Sequence, residues 1–158
     1  MQYNNIFLQL ISTGLPDAIA RVHGGSLQPS LNGVVKFYDT PFDGIIIEAE
    51  FAGLPDSNEN NHSFLGFHIH EKGDCSNNFN NTGSHFNPTG ASHPYHLGNL
   101  PPLLNNNGYA YTMFYDDSLT ISRIIGHSVI VHSRRDDFTS QPSGDSGNKI
   151  GCGVIKKY

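Results

Sequence analysis

The sequence predicts an all-β domain of the antiparallel sandwich or barrel type. Its apolar runs are short and rich in β-branched and aromatic residues, and Gly, Pro or Asn separates them. No window carries the long apolar stripe with a 3.6-residue period that an amphipathic helix would show. Because the chain has 158 residues, we expect one domain with little or no helix.

Seven runs of residues have the composition of strands, and a further short strand is expected near Leu100–Leu104. Alternation is visible in the second run, where Val35 and Phe37 lie on the face opposite Val34 and Lys36. In chain order, the seven runs are Ile19–His23, Gly33–Tyr38, Ile45–Phe51, Ser63–His70, Tyr109–Tyr115, Ser128–His132 and Cys152–Ile155.

Residues 1–17 are predicted to be an N-terminal extension, and residues 18–158 the folded domain. The extension contains an apolar patch between Ile6 and Ile11, but it lacks the basic start, longer apolar stretch and small-residue cleavage site of a secretory signal. The sequence therefore leaves two locations open: a cytoplasmic protein, or the mature form of an exported one.

Composition excludes several classes of partner. The formal net charge of −5 argues against a nucleic acid or a membrane surface held by bulk electrostatics. No run approaches the roughly 20 apolar residues of a transmembrane helix. The unusual feature is the nine His, which equal Lys and Arg together.

Two polar segments interrupt the regular spacing of the strands. Glu71–Asn107 is rich in Gly, Asn and Pro, and Ser133–Gly151 is also polar. Loops beyond about 12–15 residues in a compact domain are usually functional or disordered. The His residues of the first segment favour a functional loop.

The histidines form a pattern that suits a metal site. His68 and His70 stand at i and i+2 on a predicted strand, so their side chains share a face and lie about 6–7 Å apart. Alone, this pair would suit two partly exposed strand residues equally well. Further histidines lie in the first long segment and at a strand end, namely His85, His93, His96 and His132. Imidazole is a ligand for copper and zinc, so we interpret the six as metal ligands.

Five motifs around these histidines and the last strand stand out along the chain. In order, they are Gly-Phe-His-Ile-His-Glu, Gly-Ser-His-Phe-Asn-Pro, His-Leu-Gly-Asn-Leu, Val-Ile-Val-His-Ser-Arg-Arg-Asp-Asp and Gly-Cys-Gly-Val-Ile. They resemble the motifs of copper/zinc superoxide dismutases, which occur in the same order. The resemblance runs from about Ala18 to Ile155, and His-Pro-Tyr-His, Leu-Pro-Pro-Leu and Phe-Thr-Ser-Gln-Pro-Ser-Gly resemble bacterial members in particular. It implies an eight-stranded antiparallel Greek-key β-barrel, close to an immunoglobulin-like sandwich, with two long functional loops.

The resemblance also implies a set of site residues. The implied copper ligands are His68, His70, His85 and His132. The implied zinc ligands are His85, which would bridge the two metals, His93, His96 and Asn99. Asp136 would hydrogen-bond both His68 and His93 and so fix their rings. Cys75 and Cys152 would form a disulfide, although two isolated Cys in a cytosolic chain are more often unpaired thiols.

Two positions depart from the family pattern. Asn99 stands where the family has a zinc-binding aspartate, so we expect weaker zinc binding, with continued coordination by Asn99 as the alternative. Lys149 stands where the family has an active-site arginine; it keeps the positive charge but loses the planar fork, so we expect a reduced rate. Arg134 and Arg135 could add to the positive field.

The implied function is conversion of superoxide to dioxygen and hydrogen peroxide by cycling of copper between Cu(II) and Cu(I), with Lys149 and His85 as catalytic residues. One alternative is a copper- and zinc-binding or metal-delivery barrel with little dismutase activity, which the two departures favour. Another is a purely structural or adhesive sandwich with idle histidines. Many members are dimers, but no residue here selects a contact surface for a homodimer. His23, His62 and His127 match no ligand position.

Overall fold

The structure is a computed structural model that describes residues 5–58 and 62–158. In these ranges the chain forms nine strands, two α-helices and one 3₁₀ segment. The strands are β1 (Ala18–Gly24), β2 (Asn32–Asp39), β3 (Ile45–Ala52), β4 (Phe64–Leu65), β5 (Phe67–His70), β6 (Leu103–Leu104), β7 (Tyr109–Asp116), β8 (Ser128–His132) and β9 (Lys149–Lys157). The helices are α1 (Ile6–Thr13) and α2 (Ile121–Ile124), and the 3₁₀ segment is Asn77–Thr82.

Seven strands form one antiparallel sheet in the order β5-β8-β9-β1-β2-β3-β7, and β4 pairs with β6. Non-consecutive neighbours such as β5 and β8 are the crossovers of a Greek key. Only Gly66 separates β4 from β5, so the nine segments correspond to eight strands if these two are counted as one. The predicted all-β Greek-key fold is confirmed.

The sheet curls until its two ends face each other across the core. Phe51 on β3 and Phe67 on β5 lie near opposite ends of the strand order, yet their rings meet edge to face with 5.7 Å between centroids. Both side chains are fully buried, as are Phe37 on β2 and Ile69 on β5. Burial of such side chains contributes about 1.5–3 kcal/mol each, which makes this interior the main source of stability.

The predicted strands are confirmed, including the short strand β6 near Leu100–Leu104. The expectation of little or no helix overlooks α1, which lies within the predicted N-terminal extension. Five of its eight residues are apolar, and its Phe7 packs on Phe42 and stacks on Tyr115 at 5.0 Å, so tertiary contact supports it. Residues 1–4 of the extension lie outside the described residues, and the division at residues 17 and 18 stays a prediction.

Among the described residues, no helix is long and apolar enough to cross a membrane. Two long loops carry the polar segments noted in the sequence. The first loop joins β5 to β6 and contains the 3₁₀ segment, and the second loop, residues 133–148, joins β8 to β9. Because β5 and β8 are antiparallel, the two loops leave from opposite ends of this pair. Both fold back over it, and their side chains meet at Asp136, which contacts His68 on β5 and His93 in the first loop.

Candidate metal centre

Strands β5 and β8 place three histidines side by side. His68 and His70 lie on β5, where all four residues are buried, and His132 ends β8, its paired neighbour. The Nε2 atoms of His70 and His132 lie 3.2 Å apart. The i, i+2 spacing seen in the sequence is therefore part of a site that two strands build together.

The first long loop folds back onto β5 through its main chain. The N–H of Phe86 donates to the carbonyl of Ile69, and the N–H of Ile69 donates to the carbonyl of Gly98, each at 2.8 Å. A Cβ atom at position 98 would collide with the carbonyl oxygen of Ile69, so this approach requires glycine. The loop is thereby fixed in register against the strand that carries two histidines.

This register brings loop residues to strand residues in two isolated bridges. His85 lies opposite His70, and Asn99 lies opposite His68. His85 and His93 are 4% and 3% exposed, and His96 is half-buried. All six histidines singled out in the sequence thus lie in one region.

The first cluster consists of His68, His70, His85 and His132, with one ring nitrogen from each within 4.8 Å of the others. His70 Nδ1 donates to the carbonyl of Gly83 at 2.9 Å, and His132 Nδ1 donates to the carbonyl of Gly147 at 3.3 Å. Each ring therefore turns Nε2 with its lone pair toward the cluster.

The other two rings of the first cluster carry nitrogens without a partner. His68 Nδ1 and His85 Nε2 are buried and accept no hydrogen bond from any residue that the structure describes. Buried polar atoms are nearly always paired, and four converging lone pairs repel one another unless a cation lies between them. Four imidazole nitrogens are a donor set that suits copper, so the first cluster fits this metal.

The second cluster consists of His85, His93 and His96, and it shares His85 with the first cluster. Their Nδ1 atoms face a common centre; those of His85 and His96 lie 3.4 Å apart. Asn99 closes the cluster: its Oδ1 accepts from His85 Nδ1 at 2.8 Å, and its Nδ2 lies 3.1 Å from His93 Nδ1. Three imidazoles and an amide oxygen fit zinc, but they lack the anionic ligand that a carboxylate would supply.

Asp136 lies between the two clusters, at 4% exposure. Its Oδ2 accepts from His68 Nε2 at 2.8 Å, and its Oδ1 accepts from His93 Nε2 at 2.9 Å and from the N–H of Phe138 at 2.7 Å. Burial alone would raise its pKa, but these hydrogen bonds outweigh burial and lower it. An ionised carboxylate thus fixes one ring of each cluster.

The histidines of the first cluster are held neutral. Burial lowers the pKa of His85 to about 3, and the nearby His68 adds to this shift. Burial also lowers the pKa of His70 and His132 well below the usual value, and that of His68 despite the opposing effect of Asp136. Neutral imidazole is the form that binds metal ions, so the protonation state suits coordination.

Lys149 holds the first loop through all three of its N–H donors. Nζ donates to the carbonyl of Gly83 at 2.8 Å, to Thr82 Oγ1 at 2.9 Å and to the carbonyl of Phe79 at 3.3 Å. Burial lowers the pKa of Lys149, and Glu71 opposes this effect. The ammonium therefore presents positive charge to the site while its hydrogen bonds are directed at the loop.

A pocket of about 630 Å³ opens beside both clusters. Its walls include His85, which belongs to both clusters, and also His96 and Lys149. Arg134, expected to add to the positive field, instead pairs with Asp145 at 2.8 Å, and both side chains are more than half exposed. Lys149 is thus the cation that lines the pocket among the described residues.

The predicted disulfide between Cys75 and Cys152 is confirmed. It joins the first loop to β9, and Cys152 is fully buried. The sequence separation of 77 residues corresponds to about 4 kcal/mol of stabilisation in the chain-entropy model.

The remaining three histidines belong to neither cluster within the described parts of the chain. His62 Nδ1 donates to the carbonyl of Ser133 at 2.8 Å, and His127 Nδ1 donates to the carbonyl of His70 at 3.2 Å. His23 meets the ring of Phe79 edge to face.

Sequence reasoning overlooks several groups that complete the site. The carbonyls of Gly83 and Gly147 orient two rings of the first cluster, and Gln141 holds the main chain of His93. Carbonyl groups leave no mark in a sequence. The motif Gln-Pro-Ser-Gly, noted for its resemblance to bacterial members, was the available signal for Gln141.

Comparisons with known proteins agree with this site. The family model of copper/zinc superoxide dismutase (SODC) matches residues 31–155. A Cu-Zn superoxide dismutase from Legionella pneumophila is 34% identical over 148 residues, which cover 89% of this chain and 87% of that protein. The crystal structure of a SOD-like protein from Bacillus subtilis is similar with a TM-score of 0.75 and 26% identity, covering 86% of this chain and 96% of that one.

A second kind of relative also matches. The copper chaperone for superoxide dismutase from Homo sapiens is 32% identical over 141 residues, which cover 81% of this chain and 49% of that protein. The chain spans about half the length of this relative. The family resemblance of the motifs is confirmed, and copper and zinc are the metals that the family and the two clusters support. Since the family model spans most of the residues and a bacterial relative matches along nearly its whole length, the chain belongs to the copper/zinc superoxide dismutase family.

Proposed function

We propose that the chain converts superoxide to dioxygen and hydrogen peroxide, with copper bound in the first cluster and zinc in the second. The observation that carries the proposal is the convergence of four buried, neutral imidazoles, two of which have a ring nitrogen without a partner. A copper ion bound there would take one electron from one superoxide anion and give it to a second, so that two anions and two protons become dioxygen and hydrogen peroxide.

The chain's own residues set up this chemistry in the described geometry. His85 belongs to both clusters, and its Nδ1–H donates to Asn99 Oδ1, which leaves the lone pair on Nε2 for the first cluster. Asp136 keeps His68 and His93 in fixed orientations, which reduces the reorganisation that metal binding requires. In the proposed role, His85 Nε2 would also take up a proton from water when it is not a metal ligand, and would pass that proton to the reduced product.

Lys149 supports an anionic substrate through its charge. It lines the pocket beside the first cluster, and its positive charge raises the local concentration of an anion even though the net charge of the chain is −5. Because all three donors of Nζ are directed at the loop, we infer that Lys149 attracts superoxide without binding it directly. This agrees with the lower rate expected for lysine in place of arginine.

A metal-delivery role is the second candidate. Asn99 and Lys149 both depart from the family pattern, and relatives that match 81% of the chain include a copper chaperone for superoxide dismutase. In this role the first cluster would bind copper and release it to an acceptor protein, and turnover of superoxide would be slow.

One experiment distinguishes the two. The chain is loaded with copper and zinc, metal content is measured, and superoxide consumption is followed directly in parallel with His132→Asn and His23→Asn variants. A dismutase loses most of its rate with His132→Asn, which removes a nitrogen of the first cluster, and retains it with His23→Asn, which lies outside both clusters. A copper-loaded parent no faster than the His132→Asn variant would exclude the enzyme, and transfer of its copper to an acceptor protein would support delivery.

A further inference from the structure

The second loop holds His93 by its main chain as well as by its ring. Gln141 Oε1 accepts from the N–H of His93 at 3.0 Å, and Gln141 Nε2 donates to the carbonyl of His93 at 2.7 Å. Asp136, from the same loop, accepts from the ring at 2.9 Å. One loop therefore makes three hydrogen bonds to one metal-binding histidine.

The amide of Gln141 is matched to the peptide groups that it contacts. A carbonyl oxygen only accepts and a main-chain N–H only donates, so the two ends of the amide cannot exchange places without losing both bonds. Paired in this way, Gln141 acts on His93 as a neighbouring strand would, because it fixes both peptide groups that flank the Cα atom. The hydrogen bonds from Gln141 in the second loop therefore fix the direction in which the His93 side chain leaves the main chain.

The second loop also passes close to the Nε2 atom of His93. Gly144 has a positive φ of 67°, and a Cβ atom there would collide with the carboxylate of Asp136 and approach His93 Nε2. Further along, the carbonyl of Gly147 accepts from His132 Nδ1 in the first cluster. The loop therefore touches both clusters, and Gln141 and Gly147 line the pocket that opens beside them.

We propose that Gln141 is a positioning residue that couples metal capture by the second cluster to the ordering of loop 133–148 over the pocket. The inference rests on the proposed zinc site at His85, His93 and His96. A metal ion that fixes His93 favours the conformation in which both peptide groups of His93 bind Gln141, and that conformation holds the loop. Because coupling of two equilibria is reciprocal, an ordered loop must strengthen metal binding by the same factor.

The test compares Gln141→Ala, Gln141→Glu and the control Thr139→Ala, an exposed residue of the same loop. The zinc dissociation constant is measured by competition with a chromogenic chelator. Hydrogen exchange of residues 133–148 is measured by mass spectrometry with and without zinc. In Gln141→Glu the side chain still accepts from the N–H of His93 but no longer donates to its carbonyl.

We expect Gln141→Ala to weaken zinc binding about tenfold, as removal of a residue that orients a metal ligand commonly does. The zinc-dependent protection of the loop should disappear in this variant, be reduced in Gln141→Glu and stay unchanged in Thr139→Ala. A residue with only a structural role would lower protection equally with and without zinc. Zinc binding within twofold of the parent with protection retained would overturn the proposal, and so would a parent that binds no zinc at this cluster.

Superoxide consumption does not enter this test. A parent chain without dismutase activity that still shows zinc-dependent ordering of the loop would refute the proposed activity and leave the role of Gln141 intact. Normal dismutase activity together with loop protection that does not depend on zinc would refute the role of Gln141 and leave the proposed activity intact.

Discussion

Replacing Asn99 with aspartate should shift stability and zinc affinity in opposite directions. Asn99 Nδ2 donates to the carbonyl of Pro94 at 2.8 Å and to His93 Nδ1 at 3.1 Å. A carboxylate cannot donate, so Asn99→Asp loses both bonds, at about 1 kcal/mol each. The bond from His85 Nδ1 becomes charge-assisted and recovers about 1 kcal/mol. The net effect is a free energy of unfolding about 1 kcal/mol lower.

With zinc present the sign reverses. The amide of Asn99 competes with the metal for His85 and His93, whereas a carboxylate provides an anionic oxygen ligand. We expect Asn99→Asp to bind zinc at least about tenfold more tightly, which corresponds to about 1.4 kcal/mol. The zinc-loaded variant should therefore unfold at a higher urea concentration than the zinc-loaded parent, although its metal-free form unfolds at a lower one.

The assays are urea unfolding of the metal-free and zinc-loaded chains and competition of the protein with a zinc chelator. Asn105→Asp is a matched control, because Asn105 Nδ2 also donates to a proline carbonyl, that of Pro55 at 2.8 Å, and to the carbonyl of His62 at 3.0 Å. This control should be destabilised in both states and should leave zinc affinity unchanged.

Two results would refute this reasoning about Asn99. Zinc affinity of Asn99→Asp equal to that of the parent would show that the missing carboxylate does not limit the second cluster. A metal-free Asn99→Asp chain more stable than the parent would show that the two hydrogen bonds from Nδ2 do not stabilise the fold.

Three further predictions concern other parts of the site. Lys149→Arg should raise the second-order rate constant for superoxide several-fold in stopped-flow assays. A guanidinium has five N–H donors, so it can hold the loop with three and still offer donors to the anion. An unchanged rate constant would contradict this. Replacing Cys75 and Cys152 with Ala should lower the free energy of unfolding in urea by about 4 kcal/mol, and a change under 1 kcal/mol would argue against the loop-closure account. As the pH falls from 6.5 to 5, His85 should lower the free energy of unfolding of the metal-free chain by about 2 kcal/mol. The reason is that the pKa of His85 is about 6.5 in the unfolded chain and about 3 in the folded chain, so only the unfolded chain takes up a proton in this range. Above pH 6.5 this loss is absent, and urea unfolding of His85→Asn should show a correspondingly smaller pH slope.

Much of the fold could be predicted from local patterns. Alternation and β-branched composition predicted a strand at Gly33–Tyr38, within β2 at Asn32–Asp39. The spacing of His68 and His70 was enough to place both on one face of β5. Helix α1 escaped this reasoning because Phe7 finds its partners, Phe42 and Tyr115, far along the chain. A local pattern carries no information about such contacts.

The sequence by itself determined which residue types could meet: six histidines at strand ends and in one loop, a carboxylate at position 136, and an amide and an ammonium at positions 99 and 149. Only the tertiary structure decided which nitrogen of each ring faces a cluster, because the partners that orient the rings are main-chain carbonyls and a carboxylate as far as 68 residues away. It also decided that the donors of Lys149 are directed at a loop and that Gln141 binds His93. These arrangements depend on strand register and on where the loops return, which are set by the packing of the whole chain.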